Sequence, residues 1–160
     1  MNKLEFNRKI KRSLLWLWSF WPPHLGAGIQ VKRISKDFKE IDVKLKHRFW
    51  NANYVGTAYG GSLFMMTDPY YMVMLYETLG PGFIVWDKSA SIDYKKPGTS
   101  DVWAYFRLTD EQINEYRRQA LEHGKFEPEL KIEIVDQEKN IIAIVHKKLY
   151  IRKNEKRHQK

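Results

Sequence analysis

A single carboxylate interrupts a long apolar stretch of this sequence. Asp68 is the only acidic residue between Asn53 and Tyr76, and the pair Gly60-Gly61 precedes it. Burying an unpaired charge is unfavourable, so Asp68 indicates a functional site or a special local geometry. Backbone N–H groups at glycines can hold a developing oxyanion, Asn53 can orient water, and Asp68 can activate water or attack a carbonyl carbon directly. These are the groups that attack on a carbonyl requires.

Each of these residues also has a purely structural interpretation. Gly60 and Gly61 can serve a tight turn, and Asn53 can tie its own loop together. Asp-Pro commonly opens a helix, with Asp68 as the N-cap and Pro69 in the first helical position. If the helix begins near Gly60 instead, Pro69 lies inside it and kinks it beside Asp68.

Composition narrows the classes of function. With 160 residues, of which 43% are hydrophobic, the chain is predicted to be one domain, residues 1–160. The absence of cysteine excludes disulfides, thiolate metal sites and cysteine nucleophiles. The five histidines show no ligand spacing, and no P-loop, dinucleotide fingerprint or Gly-x-Ser-x-Gly elbow occurs. We therefore expect neither a metal nor a cofactor.

Positive charge is concentrated at the two ends. The formal net charge is +9, yet residues 1–12 and 152–160 each carry +4, which leaves +1 for the body. This distribution argues against nucleic-acid binding, and residues 152–160 are predicted to be a basic disordered tail. We expect a cytoplasmic protein.

An amphipathic helix is predicted at the amino end, within a segment of residues 1–21. Its apolar positions recur at helical spacing from Ile10 to Trp21, and Pro22-Pro23 should stop it. The preferred interpretation is a helix packed against the domain. The less favoured alternatives are a cleaved signal peptide and a membrane-surface anchor. No run reaches the roughly 20 apolar residues that span a bilayer.

Alternating apolar and polar residues predict strands over most of the remaining chain. The predicted strands are 26–35, 41–49, 83–94, 102–108 and the hairpin 130–134 with 141–151. Thr109 and Gln112 form a capping box that should open a short helix ending before Gly124. We therefore predict an α+β fold in which a curved antiparallel sheet of about six strands wraps a long central helix.

The stretch around Asp68 resembles the acyl-CoA thioesterases of the hotdog-fold superfamily. Those enzymes place Asn, then Gly-Thr, then usually His-Gly-Gly at the mouth of the central helix, with an acidic residue seven positions beyond the second glycine. This chain reads Asn53, Gly56-Thr57, Tyr59-Gly60-Gly61 and Asp68 at the same spacing. Trp86 to Pro97 (WDKSASIDYKKP) resembles the third strand of such proteins, and Pro23 to Ile29 is similar to a poorly characterised thioesterase-like branch. The resemblance covers about residues 22–151.

The resemblance implies an acyl-CoA thioesterase whose catalytic residues are Asp68, Asn53, Gly60 and Gly61. It also implies a homodimer or a dimer of dimers, in which the acid and the glycines of one site come from different subunits. Two departures stand out, because Tyr59 replaces the usual histidine and Pro69 follows the acid. The alternative is a non-catalytic hotdog module that binds acyl-CoA or a fatty acid.

Several further residues are candidates for substrate binding. Tyr59 and Thr57 lie at the predicted mouth of the site. Asp87 could add a polar group from the next strand, where alternation predicts that Asp87, Ser89 and Ser91 share a face. The phosphates of coenzyme A are bound by cationic side chains. Four such residues lie on or near the predicted strands that flank the site: Lys88, Lys95, Lys96 and Arg107.

Overall fold

The structure is a computed structural model that describes residues 3–154, with side chains described from residue 10 onward. The helices are α1 (Lys3–Leu17), α2 (Pro22–Ala27), α3 (Gly60–Met65), α4 (Tyr70–Leu79) and α5 (Asp110–Glu122), and a 3₁₀ turn (Trp18–Phe20) joins α1 to α2. The strands are β1 (Ile29–Ile34), β2 (Glu40–Leu45), β3 (Phe83–Tyr94), β4 (Val102–Arg107), β5 (Lys125–Phe126), β6 (Glu129–Val135) and β7 (Ile141–Lys153).

All seven strands join one antiparallel sheet. Its order is β1-β2-β4-β6-β7-β3, and the two-residue β5 pairs with the end of β7. The predicted α+β class is confirmed. The prediction was about six strands, and the short β5 is the additional one. β3 forms one end of the sheet and pairs only with β7 among the described strands, which leaves its outer edge open.

The inner face of the sheet packs on α3 and α4. Alternation works as predicted in β2 and β7, where Ile41, Val43 and Leu45 are fully buried, as are Val145 and Leu149. β4 is buried on one face only. Its inner residues are buried, while Tyr105 and Arg107 on the other face are exposed and paired with neighbouring polar groups.

The second predicted strand ends earlier than its pattern suggests. β2 stops at Leu45, and Phe49 lies outside it with 89% of its surface exposed. The chain turns away because Asn51, which is buried, donates to the carbonyl oxygens of Ala27 and Lys46 at 2.9 and 2.7 Å. Asn51 also accepts from the Arg48 amide at 2.7 Å, so one side chain fixes the turn.

The amino-terminal segment continues beyond its predicted stop. Pro22 ends the preceding turn, as expected, and then occupies the start of α2, where a missing N–H costs nothing. Gly28 closes α2 with φ of +76°, and a Cβ there would lie 2.7 Å from the Lys46 carbonyl oxygen. The basic tail predicted at 152–160 begins inside β7, which runs to Lys153, and residues 155–160 lie outside the described part of the chain.

The capping box of the short helix is confirmed. Thr109 accepts from the Gln112 amide, Gln112 accepts from the Thr109 amide, and Gly124 follows the helix with φ of +74°. Ile113 and Ala120 face inward, whereas Leu121 is 50% exposed at the margin of the apolar face. The capping residues thus located this helix correctly.

The predicted long central helix is interrupted. α3 ends at Met65 and α4 starts at Tyr70, with Asp68 and Pro69 in the connection and a cis peptide bond between them. Pro69 is the N-cap of α4 without a side-chain cap, so the prediction of Asp68 as N-cap is wrong. The interpretation with Pro69 breaking the helix beside Asp68 is the closer one, since proline cannot donate the bond that would continue α3.

Candidate active site

A lysine occupies a core-facing position directly beside the break between the helices. Lys147 lies on the inner row of β7 between Val145 and Leu149, and its side chain is only 4% exposed. Its ammonium donates to the Asp68 carboxylate at 2.7 Å and lies 3.2 Å from that of Asp87. Asp68, Asp87 and Lys147 form what we call the carboxylate–lysine cluster. Burial of the lysine is tolerated because two opposite charges surround it.

The Asp68 side chain connects this cluster to solvent. Its side chain is 57% exposed, in contrast to the lysine beneath it. Lys147 also reaches the Thr67 carbonyl oxygen at 3.4 Å, so the lysine holds both the backbone and the carboxylate of the connection. One oxygen of Asp68 is thereby fixed while much of the carboxylate stays accessible.

A β-bulge brings Asp87 into the cluster. The β3–β7 register shifts between Asp87, which pairs with Leu149, and Ser89, which pairs with Lys148. The extra residue reverses the alternation, so Asp87 faces inward while Ser89 and Ser91 lie on the outer face. The prediction that these three residues share a face is therefore wrong, and Asp87 alone joins the cluster.

Asp87 is expected to hold a proton more readily than an ordinary aspartate. Burial raises the pKa of the Asp87 carboxyl most, and the nearby Asp68 carboxylate raises it further, while Lys147 acts in the opposite direction. Lys147 is the neighbour that favours the ionised form of Asp87.

This raised pKa predicts how stability depends on pH. The pKa of Asp87 is about 3.8 in the unfolded chain and is raised in the folded state, so the folded state binds this proton more tightly. The stability that Asp87 contributes is therefore present below pH 3.8 and is lost as the pH rises through the folded-state pKa. Asp87→Asn cannot titrate, and wild type should lose stability relative to it across that window. Urea unfolding between pH 3 and pH 8 measures the difference. Asp93→Asn makes the same change on the same strand outside the cluster, and parallel curves for wild type and Asp87→Asn would contradict the assignment.

A buried histidine borders the same carboxylate. His24 of α2 is 1% exposed, and its Nδ1 lies 3.0 Å from the Trp18 carbonyl oxygen. That oxygen can only accept, so Nδ1 carries the hydrogen and Nε2 keeps its lone pair in the neutral ring. Burial lowers the pKa of His24, partly opposed by the Trp18 bond and by Asp68. The ring stacks on Tyr70, a buried residue whose pKa is raised by desolvation.

The other predicted site residues gather in the loop before α3. The Asn53 amide donates to Thr57 Oγ1 at 2.8 Å, and its oxygen accepts from the amides of Val55 and Thr57. The Asn53 side chain therefore ties its own loop, the second of the two interpretations. Gly60 and Gly61 open α3, whose first amides lack intrahelical acceptors.

Two aromatic rings crowd the glycine pair. A Cβ on Gly61 would lie 2.5 Å from the Tyr59 ring, and one on Gly60 would lie 2.8 Å from the Tyr94 hydroxyl. Tyr59 itself is 58% exposed. A side chain at either position would therefore require one of these exposed rings to move.

One chain does not bring the glycines and the carboxylate–lysine cluster together. The six residues of α3 separate them by on the order of 10 Å at about 1.5 Å per residue. The candidate phosphate-binding lysines are also far apart, since Lys88 and Lys96 lie about 25 Å from one another along an extended chain. Lys88 is paired with Glu127 at 2.6 Å, whereas Lys96 contacts the side-chain oxygen of Asn140 at 3.4 Å.

Comparison with solved structures defines the class of fold. A Pseudomonas aeruginosa protein of unknown function, named as a "probable thioesterase", is 20% identical with a TM-score of 0.76, and the match covers 89% of this chain and 96% of that one. A thioesterase from Haemophilus influenzae is 13% identical with a TM-score of 0.62, covering 87% and 88%. A Streptococcus mutans protein bound to acetyl-CoA is 19% identical with a TM-score of 0.56, covering 79% and 90%. The chain has the hotdog fold of thioesterase-like proteins, as the resemblance implied.

The chain belongs to the family described as a domain of unknown function, DUF4442, whose model matches residues 11–151. No curated protein sequence matches it. Within the part of the chain that is described, no helix is both long enough and apolar enough to cross a membrane.

Sequence reasoning missed two members of the site, Lys147 and His24. The sequence did contain a signal for Lys147. Strand alternation places one row of residues of β7 on the inner face, and Lys147 is the one charged member of that row: Ala143, Val145, Lys147, Leu149 and Ile151. His24 had no comparable signal. Its place beside Asp68 depends on α2, which the sequence pattern did not reveal.

Proposed function

We propose that this protein hydrolyses an acyl-CoA or a related thioester, with Asp68 activating the attacking water. The observation that carries the proposal is the position of Asp68, an accessible carboxylate held at 2.7 Å by the buried Lys147. The likeness to structures named as thioesterases, and to one bound to acetyl-CoA, supports the same class of substrate.

The reaction needs one proton transfer and one stabilised oxyanion. Asp68 accepts a proton from water as the water oxygen bonds to the thioester carbon, and the carbonyl electron pair moves onto oxygen. When that pair returns, the C–S bond breaks and the thiolate takes the proton from Asp68. The products are a carboxylic acid and a thiol. Direct attack by Asp68 on the thioester carbon is the other route: the C–S bond breaks, the thiolate leaves, and water then cleaves the mixed anhydride to the carboxylic acid and free Asp68.

Lys147 prepares Asp68 for this step. Lys147 fixes one carboxylate oxygen, so the other is presented in a constant orientation. Lys147 also lies 3.2 Å from the Asp87 carboxylate, so a single ammonium offsets the charges of both carboxylates.

The oxyanion donors come from a second copy of the chain in this proposal. Gly60 and Gly61 lie on the order of 10 Å from Asp68 of the same chain, by the length of α3. Two copies can pair along the open edge of the twelve-residue β3, because the backbone N–H and C=O groups of an edge strand can hydrogen-bond to a second strand. Asn53 and Thr57 would hold the glycine loop rather than contact the reacting atoms. Lys96, whose ammonium has no carboxylate partner among the described residues, is the better candidate for a coenzyme A phosphate than the paired Lys88.

A non-catalytic acyl-binding module is the second candidate. It is favoured by the side chain of Asn53, which bonds its own loop, and by Tyr59, which replaces the imidazole of the usual histidine with a phenol. Such a module would bind acyl-CoA saturably without releasing thiol.

Thiol release distinguishes the two functions. The purified protein should liberate free thiol from at least one of acetyl-, octanoyl-, palmitoyl- and benzoyl-CoA, measured with a thiol-reactive dye. Analytical ultracentrifugation at the assay concentration should give twice the chain mass. Saturable binding without thiol release supports the module, and a monomer that is fully active contradicts the shared site.

A further inference from the structure

An apolar cavity opens directly beside Asp68. It has a volume of about 800 Å³, within the range of small-molecule sites. Its wall is built mainly by the amino-terminal segment, and we call it the tryptophan cavity after two of its lining residues, Trp18 and Trp21. Met65, Asp68 and Pro69 complete it from the side of the broken helix.

The amino-terminal wall is anchored to the sheet. The Ser19 hydroxyl accepts from the Val31 amide at 3.0 Å, and the Arg12 guanidinium donates to the Ile34 carbonyl oxygen at 3.0 Å. Leu15 is buried against the core. The segment thus has a defined position over the Asp68 connection, as a binding wall requires.

The lining combines apolar and polar groups. Leu14, Leu17 and Phe20 provide apolar surface, while Asp68 and the buried His24 provide polar groups. A ligand that matches this lining has a long apolar part and a polar group. An acyl chain attached through a carbonyl has this form, and its carbonyl would lie where Asp68 can act on it.

We propose that the tryptophan cavity is the acyl-binding site and that it accepts acyl chains of medium to long length. This inference rests on the hydrolysis proposed above for the carbonyl end of the substrate. It assigns specificity to the amino-terminal segment rather than to the sheet, so residues 14–24 determine which chain lengths are accepted.

A second cavity of about 580 Å³ lies between α1, α4 and the start of β3 and also has apolar walls. Its lining includes no residue of the carboxylate–lysine cluster. Lys11 and Glu77, which border it, are paired with each other at 2.8 Å. No group there is placed to act on a thioester, which favours the tryptophan cavity as the acyl site.

Binding of 1-alkanols tests this proposal without requiring hydrolysis. These probes are neutral, carry one polar end, and range from 1-hexanol to 1-dodecanol. Calorimetric titration should show affinity rising about fourfold per added methylene until the cavity is filled, because each buried methylene contributes about 0.8 kcal/mol. Trp21→Ala should weaken 1-dodecanol binding about tenfold and 1-hexanol binding less.

Two variants provide matched controls. Trp16→Ala removes a similarly exposed tryptophan that lines neither cavity, and Tyr76→Ala alters the second cavity only. Both should bind 1-dodecanol as wild type does. If Trp21→Ala fails to fold, Leu17→Asp places a charge on the same wall at a position that is already 58% exposed, with the same expected loss.

The outcomes separate this proposal from the hydrolytic function. Affinity that does not depend on chain length, or that falls with Tyr76→Ala instead of Trp21→Ala, overturns the acyl site even when the protein releases thiol. Chain-length-dependent binding that Trp21→Ala weakens upholds the site even when no thioester is hydrolysed.

Discussion

Asp68→Asn should lower kcat/KM for thioester hydrolysis by roughly 10²- to 10⁴-fold, the usual effect of removing a general base. Asparagine keeps the shape of the side chain and can still accept a hydrogen bond from Lys147, but it cannot take a proton from water. The apolar wall is unchanged, so KM should change little and the loss should fall on kcat. Steady-state thiol release with a medium-chain acyl-CoA measures both constants.

The same variant provides a test of the shared site. Mixing Asp68→Asn with Gly61→Val, each inactive alone, should restore part of the activity if subunits exchange, because one site of the mixed dimer then has an intact acid and intact glycines. Asp93→Asn, an exposed aspartate of β3 outside the cluster, should retain full activity. Undiminished turnover by Asp68→Asn would contradict the proposed mechanism outright.

Lys147→Met should destabilise the protein by about 3 kcal/mol, because it leaves two adjacent carboxylates without their common counter-ion. Thiol release should also fall, by about 10- to 100-fold, since the Asp68 connection loses the bond that orients it. Methionine fills a similar volume, so lost charge pairing rather than a cavity would account for the effect. Urea unfolding gives the change in stability, and steady-state kinetics give the change in rate.

The neighbouring lysine supplies the control. Lys148→Met makes the same change one position along β7, where Lys148 forms an ion pair with Glu129 at 2.9 Å in solvent, and it should change stability much less than Lys147→Met. Adding Asp87→Asn to Lys147→Met should recover part of the lost stability, because one of the two unpaired charges is removed. Equal effects of the two lysine substitutions would show that the cluster has no special energetic role.

The sheet was predictable because its residues alternate in chemistry as they alternate in direction. The hairpin of β6 and β7, the long β3 and the capping box at Thr109 all followed from local patterns. The spacing from Asn53 to Asp68 also indicated the hotdog fold before any contact was known. These features depend on neighbours in sequence, which a single sequence displays.

The missing parts depend on contacts that sequence periodicity does not encode. The bulge after Asp87 shifts the register by one residue, and no residue type there announces it. The break at Pro69 was one of two interpretations open to an Asp-Pro pair, and tertiary packing decides between them. Asn53 was expected to contact the reacting atoms, yet its side-chain oxygen accepts two bonds and its amide donates one within its own loop.

The position of Lys147 also links the site to the order of folding. Its bond to Asp68 joins residues 79 positions apart, and its contact with Asp87 needs β3 to be docked in the shifted register. Contacts of such wide sequence separation require large loops to close first, so they form slowly relative to local helices and turns. The carboxylate–lysine cluster therefore cannot assemble until β7 has been synthesised and inserted between β6 and β3. The site proposed for hydrolysis is thus among the last parts of the fold to form.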